Sequence, residues 1–207
     1  IYHHIETEKT LKTGSAVIAE VNKGNRTAIA ANHTAVHVVN AALRQVFGKS
    51  VHQAGSYVSA ERFRFDYTIN RAPSREEIAQ VEQIANHAIA MDYSVCKDER
   101  PLSDAELLGA VTLVGEKYSD PARFILINEE GWDDAKNHYS LELCGGTHAD
   151  RTSQLITLKV IKDSALSSGV RRIEGVAGPA AVKYFRHIAE NAEKSARALL
   201  VGVDELD

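Results

Sequence analysis

Two histidines four residues apart, His33 and His37, are matched later in the chain by Cys144 and His148 at the same spacing. On a helix, residues four apart share one face a turn apart, so His33-Thr34-Ala35-Val36-His37 can offer two imidazoles to one point. Cys144-Gly145-Gly146-Thr147-His148 repeats the spacing with a thiolate and a third imidazole, and its two glycines predict a tight loop. Three nitrogens and one sulfur form a zinc donor set. The long separation between the pairs excludes a zinc finger, whose ligands organise a small local fold; here an ion would join distant parts of one domain. A single His-x-x-x-His is common on helices, and the second pair is what marks a site. Thr34 stands where zinc proteases carry their glutamate base, which argues against a protease.

The element that must position the first pair is a helix predicted from an N-cap at Asn32 to about Phe47, with Gly48 as its stop. On its wheel Val36, Val39, Leu43, Val46 and Phe47 form an apolar arc, and His33, His37, Asn40 and Arg44 form a polar stripe beside it. This predicts imidazoles on the rim of the buried face. Before the helix, Ala16–Val21 reads as a short strand and residues 22–25 as a turn. After it, 51–59 and 61–69 read as strands, the second with Phe63, Phe65, Tyr67 and Ile69 alternating against Arg62, Arg64, Asp66 and Thr68. Ser74 with Glu77 makes a capping box for a helix, and Ser103 with Glu106 opens a shorter one in the same way. Strands are expected at 124–127, 139–143, 155–161 and 170–176, the second delivering Cys144 at its end. A last helix runs from Pro179 to about Leu200. Helices and strands do not alternate regularly, so the expected fold is α+β, a mainly antiparallel sheet packed with helices around the zinc site.

The hydrophobic content of 44% suits an ordinary buried core, and no apolar run reaches the length of a membrane span. Two cysteines provide no disulfide framework, so a reducing cytoplasm is expected; Cys96 reads as a small half-buried residue. A net charge of -4 is not that of a stand-alone nucleic-acid binder. Any such contact must be local, with Arg62, Arg64, Arg71 and Arg75 in one region and Arg171-Arg172 in another. The first residues, Ile1-Tyr2-His3-His4, are neither a signal peptide nor a natural start, so the chain reads as cut from something longer.

Asn32-His33-Thr34-Ala35-Val36-His37, Gln53-x-Gly55-Ser56, Arg64-Phe65-Asp66, Gly115-Glu116-Lys117-Tyr118, Cys144-Gly145-Gly146-Thr147-His148 and Gly169-Val170-Arg171-Arg172-Ile173-Glu174 resemble, in this order, the editing domain of alanyl-tRNA synthetase. Free-standing alanyl-tRNA editing proteins and the threonyl-tRNA synthetase editing domain are looser matches. The resemblance spans about residues 11–180. It implies a division into 1–30, the end of a preceding β-barrel; 31–178, a zinc-containing editing core; and 179–207, a C-terminal helix or linker. Val36, Gly175 and Ala177 depart from the family pattern without touching a ligand position. No nucleotide-binding segment of a class II synthetase is present.

By this resemblance the domain would hydrolyse the ester joining serine or glycine to the 3′ end of tRNA(Ala). The need is physical. A pocket that accepts alanine cannot exclude glycine by size and rejects the serine hydroxyl by only roughly a few kcal/mol. The expected partners are the tRNA(Ala) acceptor end and the remainder of the synthetase in cis, with no membrane. Gln53 matches the position associated with the editing pocket and could orient water or substrate. Gln53 and Thr34 are the expected selectivity groups, with the metal as rival. A free-standing deacylase and a zinc-stapled tRNA-binding module without activity are the alternatives.

Overall fold

The computed structural model describes residues 5–8, 10–113 and 115–206. The first helix, α1, runs Lys23–Phe47 and is capped by Asn22, whose Oδ1 accepts from Asn25 N at 2.9 Å. It therefore starts well before the cap expected at Asn32, and the expected boundary near residue 30 falls inside it. Ala28, Ala30 and Ala31 are strong helix formers and carry the helix back through Gly24. The strand expected at 16–21 does not form. Ile18 is 97% exposed and Val17 71% exposed, with no sheet edge beside them, and a strand exists only within a ladder. The described residues before Asn22 thus hold no barrel strand, and residues 1–4 lie outside the described residues.

Two antiparallel sheets follow instead of one. β1 (Gln53–Val58), β2 (Phe63–Thr68), β6 (Leu158–Ser167) and β7 (Val170–Ala177) form a sheet in the order β1-β2-β7-β6. β3 (Ser94–Arg100), β4 (Ala122–Asn128) and β5 (Ser140–Leu143) form the second, in chain order. The alternation read in β2 holds: Phe63, Phe65 and Tyr67 are fully buried, and each such ring contributes about 1.5–3 kcal/mol. β3 was not expected, because Lys97-Asp98-Glu99-Arg100 is a charged run; its place at a sheet edge explains the charges. β6 begins later than expected because Thr152–Leu155 is a 3-10 turn.

α2 (Arg75–Ala90) carries the capping box of Ser74 and Glu77 in full. α3 (Asp104–Leu108) does not: Ser103 makes no side-chain cap bond, since its own backbone is already helical. α4 (Pro179–Leu199) closes the chain as expected. Among the described residues the fold is α+β, with two antiparallel sheets and four α-helices, the last of them the C-terminal helix α4.

The second sheet, β3-β4-β5, divides the core. Phe124, Leu126, Leu141 and Leu143 face one apolar cluster, while Ile125 and Ile127 face a larger one built on α1. Residues alternating with Leu141 and Leu143, namely Ser140, Glu142 and then Cys144, are thereby turned toward α1. Both sheets and α2 supply side chains to that larger cluster, so α1 is covered nearly all round from Ala30 to Leu43. Asn32 is part of this burial. Its Nδ2 donates to Ser59 O and Ala60 O at 2.9 and 3.2 Å, and its Oδ1 accepts from Ala177 N at 2.9 Å. One carboxamide beside His33 thus ties α1 to the β1–β2 turn and the end of β7. Asn32→Ala leaves those groups without partners and is expected to cost roughly 2–4 kcal/mol. Urea unfolding of the two proteins measures this; a loss below about 0.5 kcal/mol contradicts the tie.

Candidate metal centre

The fold brings together all four residues singled out first. His33, His37, Cys144 and His148 place one donor atom each within 4.8 Å of one another, a group able to hold a metal ion. α1 supplies the first two, with ring centroids 5.5 Å apart as helical spacing requires. The loop after β5 supplies the others. Cys144 Sγ lies 3.4 Å from His33 Nε2 and 3.4 Å from His148 Nε2, and the rings of His33 and His148 are 4.2 Å apart. His37 and His148 are buried at 4% and 6% exposure, whereas His33 and Cys144 are half-buried. The four donors thus differ in cover: His37 and His148 form the more deeply buried part of the cluster, and His33 and Cys144 the more exposed part. A cavity of about 180 Å³ reaches His148 between Arg26, Thr27 and Gln154.

Each ring is oriented by a second contact. His37 Nδ1 is 2.9 Å from Glu142 Oε2, which leaves its buried Nε2 with no hydrogen-bond partner. An orphaned buried nitrogen is costly, and a metal ion among the four donors would satisfy it. Glu142 is itself held by Asn40 Nδ2 at 3.1 Å and Ser140 Oγ at 2.9 Å. His148 Nδ1 lies 3.3 Å from Thr34 Oγ1, which also accepts from Ala149 N at 3.0 Å. His33 is oriented by packing: a Cβ added to Gly146 would stand 2.0 Å from His33 Cε1.

Charge follows from these contacts. Burial opposes a charge on His37, but the Glu142 carboxylate and Cys144 outweigh it and raise the imidazole pKa; Glu142 is held below its usual range despite burial. Burial would also push the Cys144 thiol up. Hydrogen bonds from His148 and His33, helped by the charge of nearby His37, win and bring it down to about 3, so the thiolate needed for a metal bond is already present. Burial takes His148 down to about 4 and keeps it neutral, the form that ligates.

The other expected residues fare differently. Thr34 is fully buried, with its hydroxyl in contact with His148 Nδ1 and the Ala149 amide. Gln53 lies opposite Tyr67 on the face of β1 turned toward α1, half-buried, with Nε2 3.3 Å from Ser56 Oγ; no described hydrogen bond links it to the four-residue cluster. The arginine clusters are largely matched by acids: Arg62 with Glu174, Arg71 with Glu77, Arg171 with Asp163 and Arg172 with Asp66. Arg64 stacks on Tyr57, 4.8 Å from the ring centroid. Glu142 was missed by sequence reasoning. Its signal was present: an acid in an apolar strand, two residues before Cys144 and so on the same face.

Gly146→Ala is expected to displace His33 and weaken divalent-metal affinity about 10- to 100-fold. Chelator competition measures this, and wild-type affinity contradicts the packing role given to Gly146.

Residues 123–174 match the family described as the threonyl and alanyl tRNA synthetase second additional domain. The chain is 50% identical over 206 residues to an alanine–tRNA ligase of Elusimicrobium minutum, covering all of this chain and 24% of that protein. It is 44% identical over 178 residues to one from Acetivibrio thermocellus, covering 86% of this chain and 19% of the relative. Against alanine–tRNA ligase 1 of Lachnoclostridium phytofermentans it is 37% identical over 191 residues, 92% and 21% of the two. The chain spans a quarter or less of the length of these relatives. The similarity to these ligases extends beyond the cysteine–histidine loop to the helix that carries the other two donors, so the chain is similar throughout to a segment of alanine–tRNA ligases.

Proposed function

We propose that this chain is the editing segment of an alanyl-tRNA synthetase and hydrolyses the ester of Ser-tRNA(Ala) and Gly-tRNA(Ala), with zinc held by His33, His37, Cys144 and His148. The observation that carries this reading is the convergence of four donors, from two motifs far apart in sequence, within a chain similar throughout to a segment of alanine–tRNA ligases. A thiolate with three imidazoles favours zinc over the hard cations. The 3.4 Å sulfur–nitrogen separations fit the about 3.6 Å expected across a tetrahedral zinc ion.

When bound, zinc supplies a Lewis acid for the substrate ester, its amino-acid side chain or a water. The residues of the chain do the positioning. Glu142 and Thr34 fix two ligand rings from behind, and His33 and Cys144 are the more exposed donors. An aminoacyl ester is already activated, so holding it and a water in register is the larger part of the task. Gln53, on the α1-facing side of β1, is the group proposed to orient serine or water. The partners are the tRNA(Ala) acceptor end and the remainder of the synthetase in cis, in a reducing cytoplasm; among the described residues no helix is long and apolar enough to cross a membrane.

Four protein donors also suit a closed structural site, which favours a second reading, a metal-stapled tRNA-binding module without activity. Deacylation of purified Ser-tRNA(Ala) separates the two. Hydrolysis that spares Ala-tRNA(Ala) supports editing, and intact Ser-tRNA(Ala) with bound zinc supports the module. Gln53→Leu is expected to slow Ser-tRNA(Ala) hydrolysis roughly 10- to 100-fold at unchanged zinc content; a wild-type rate removes Gln53 from the mechanism. Because the net charge is -4 and most of the clustered arginines are already paired, tRNA affinity of this chain alone should be weak and fall steeply with salt. Filter binding that stays tight at high salt contradicts this.

A further inference from the structure

The Cys144–His148 loop contains two glycines, whose backbone freedom works against holding a ligand in place. One side chain counters that freedom. Arg123, on β4, donates from Nη1 to Cys144 O at 3.0 Å and to Gly146 O at 2.6 Å, while Cys144 N donates back to Arg123 O at 3.1 Å. Both ends of the Cys-Gly-Gly turn are gathered on one guanidinium nitrogen. Hydrogen bonds from a charged donor are roughly twice as strong as neutral ones.

The register sharpens the point. Glu99 lies directly across from Arg123 on β3, the arrangement in which opposite charges ordinarily pair. Among the described residues no ion pair joins them, and the guanidinium reaches the loop carbonyls instead. Arginine carries no lone pair for a metal, so any effect it has on an ion must pass through the loop.

We propose that Arg123 is a positioning residue for the metal centre: it fixes the carbonyls of Cys144 and Gly146, and so holds Cys144 Sγ beside His33 and His148. The inference rests on the metal reading above. Gly146 is also the residue against which His33 packs, so the same guanidinium sets the wall that orients a second donor.

The test is cobalt(II) binding to the full 207-residue chain as wild type, Arg123→Ala and Arg123→Lys. It reads affinity by chelator competition, the thiolate-to-cobalt charge-transfer band, and the melting temperature of the metal-free protein. Arg123→Ala is expected to weaken affinity about 10- to 100-fold and to shift or weaken the band. Arg123→Lys, which keeps the charge without the planar fork, should recover part of both. Should Arg123→Ala not fold, the lysine variant carries the test, with reduced affinity and an altered band expected. Cobalt bound equally by wild type and every folded variant overturns the inference alone, as does a lowered metal-free melting temperature with unchanged affinity and band. Wild-type protein that takes up no cobalt overturns the metal reading and this inference with it.

Discussion

A helix covered on nearly every side has no solvent face on which to leave its polar residues, and α1 carries four of them, Asn32, Thr34, His37 and Asn40, at 4% exposure or less. Each must find a partner inside the protein or destabilise it. Asn32 reaches the ends of the larger sheet; Thr34 takes the amide of Ala149; Asn40 takes Glu142. His37 and Asn40 are met only in part: Glu142 faces His37 Nδ1, while His37 Nε2 and Asn40 Oδ1 have no hydrogen-bond partner, and of these two atoms the imidazole nitrogen is the metal donor. That nitrogen points the fold toward a metal. Small residues make the burial possible, because Ala30, Ala31, Ala35, Ala41 and Ala42 let neighbouring elements approach the helix axis closely.

From this constraint the centre follows as a layered arrangement. β5 alternates Leu141 and Leu143 into one cluster and turns Glu142 toward α1, with Cys144 following in the same alternation just past the strand end, so one segment provides both a donor and the carboxylate behind another donor. Carboxylate–histidine pairs of this kind fix which ring nitrogen is free and where it points. The loop beyond β5 is shaped to match: glycine where His33 needs room, and a hydroxyl from α1 beneath His148. The proposed hydrolysis of an activated ester asks for little beyond positioned groups, and His33 and Cys144 are the two half-buried members of the cluster.

Much of this was legible in the sequence, and the failures have physical causes. Ligand spacing, the Ser74–Glu77 capping box and the two-residue alternation of β2 are local signals, and they survived folding because tertiary contacts agree with them. The N-cap was misplaced because Asn22 and Asn32 are equally good caps by residue type, and only burial shows that Asn32 is engaged in tertiary bonds. The 16–21 segment has strand composition but no ladder to join. Glu142 was missed for a related reason: its contact with His37 is made across the fold and not along the chain. What a polar group does near a site depends on whether it faces the ion, the substrate or the back of a ligand, and sequence spacing alone does not distinguish these.

The central claim, that His33, His37, Cys144 and His148 enclose one ion, is tested most directly by metal analysis with X-ray absorption on protein purified without added metal. The account predicts one zinc per chain with a coordination shell of one sulfur and three nitrogens, lost in the Cys144→Ala, His148→Ala double variant. A stoichiometry near zero, a shell without sulfur, or a metal content unchanged in the double variant would contradict it.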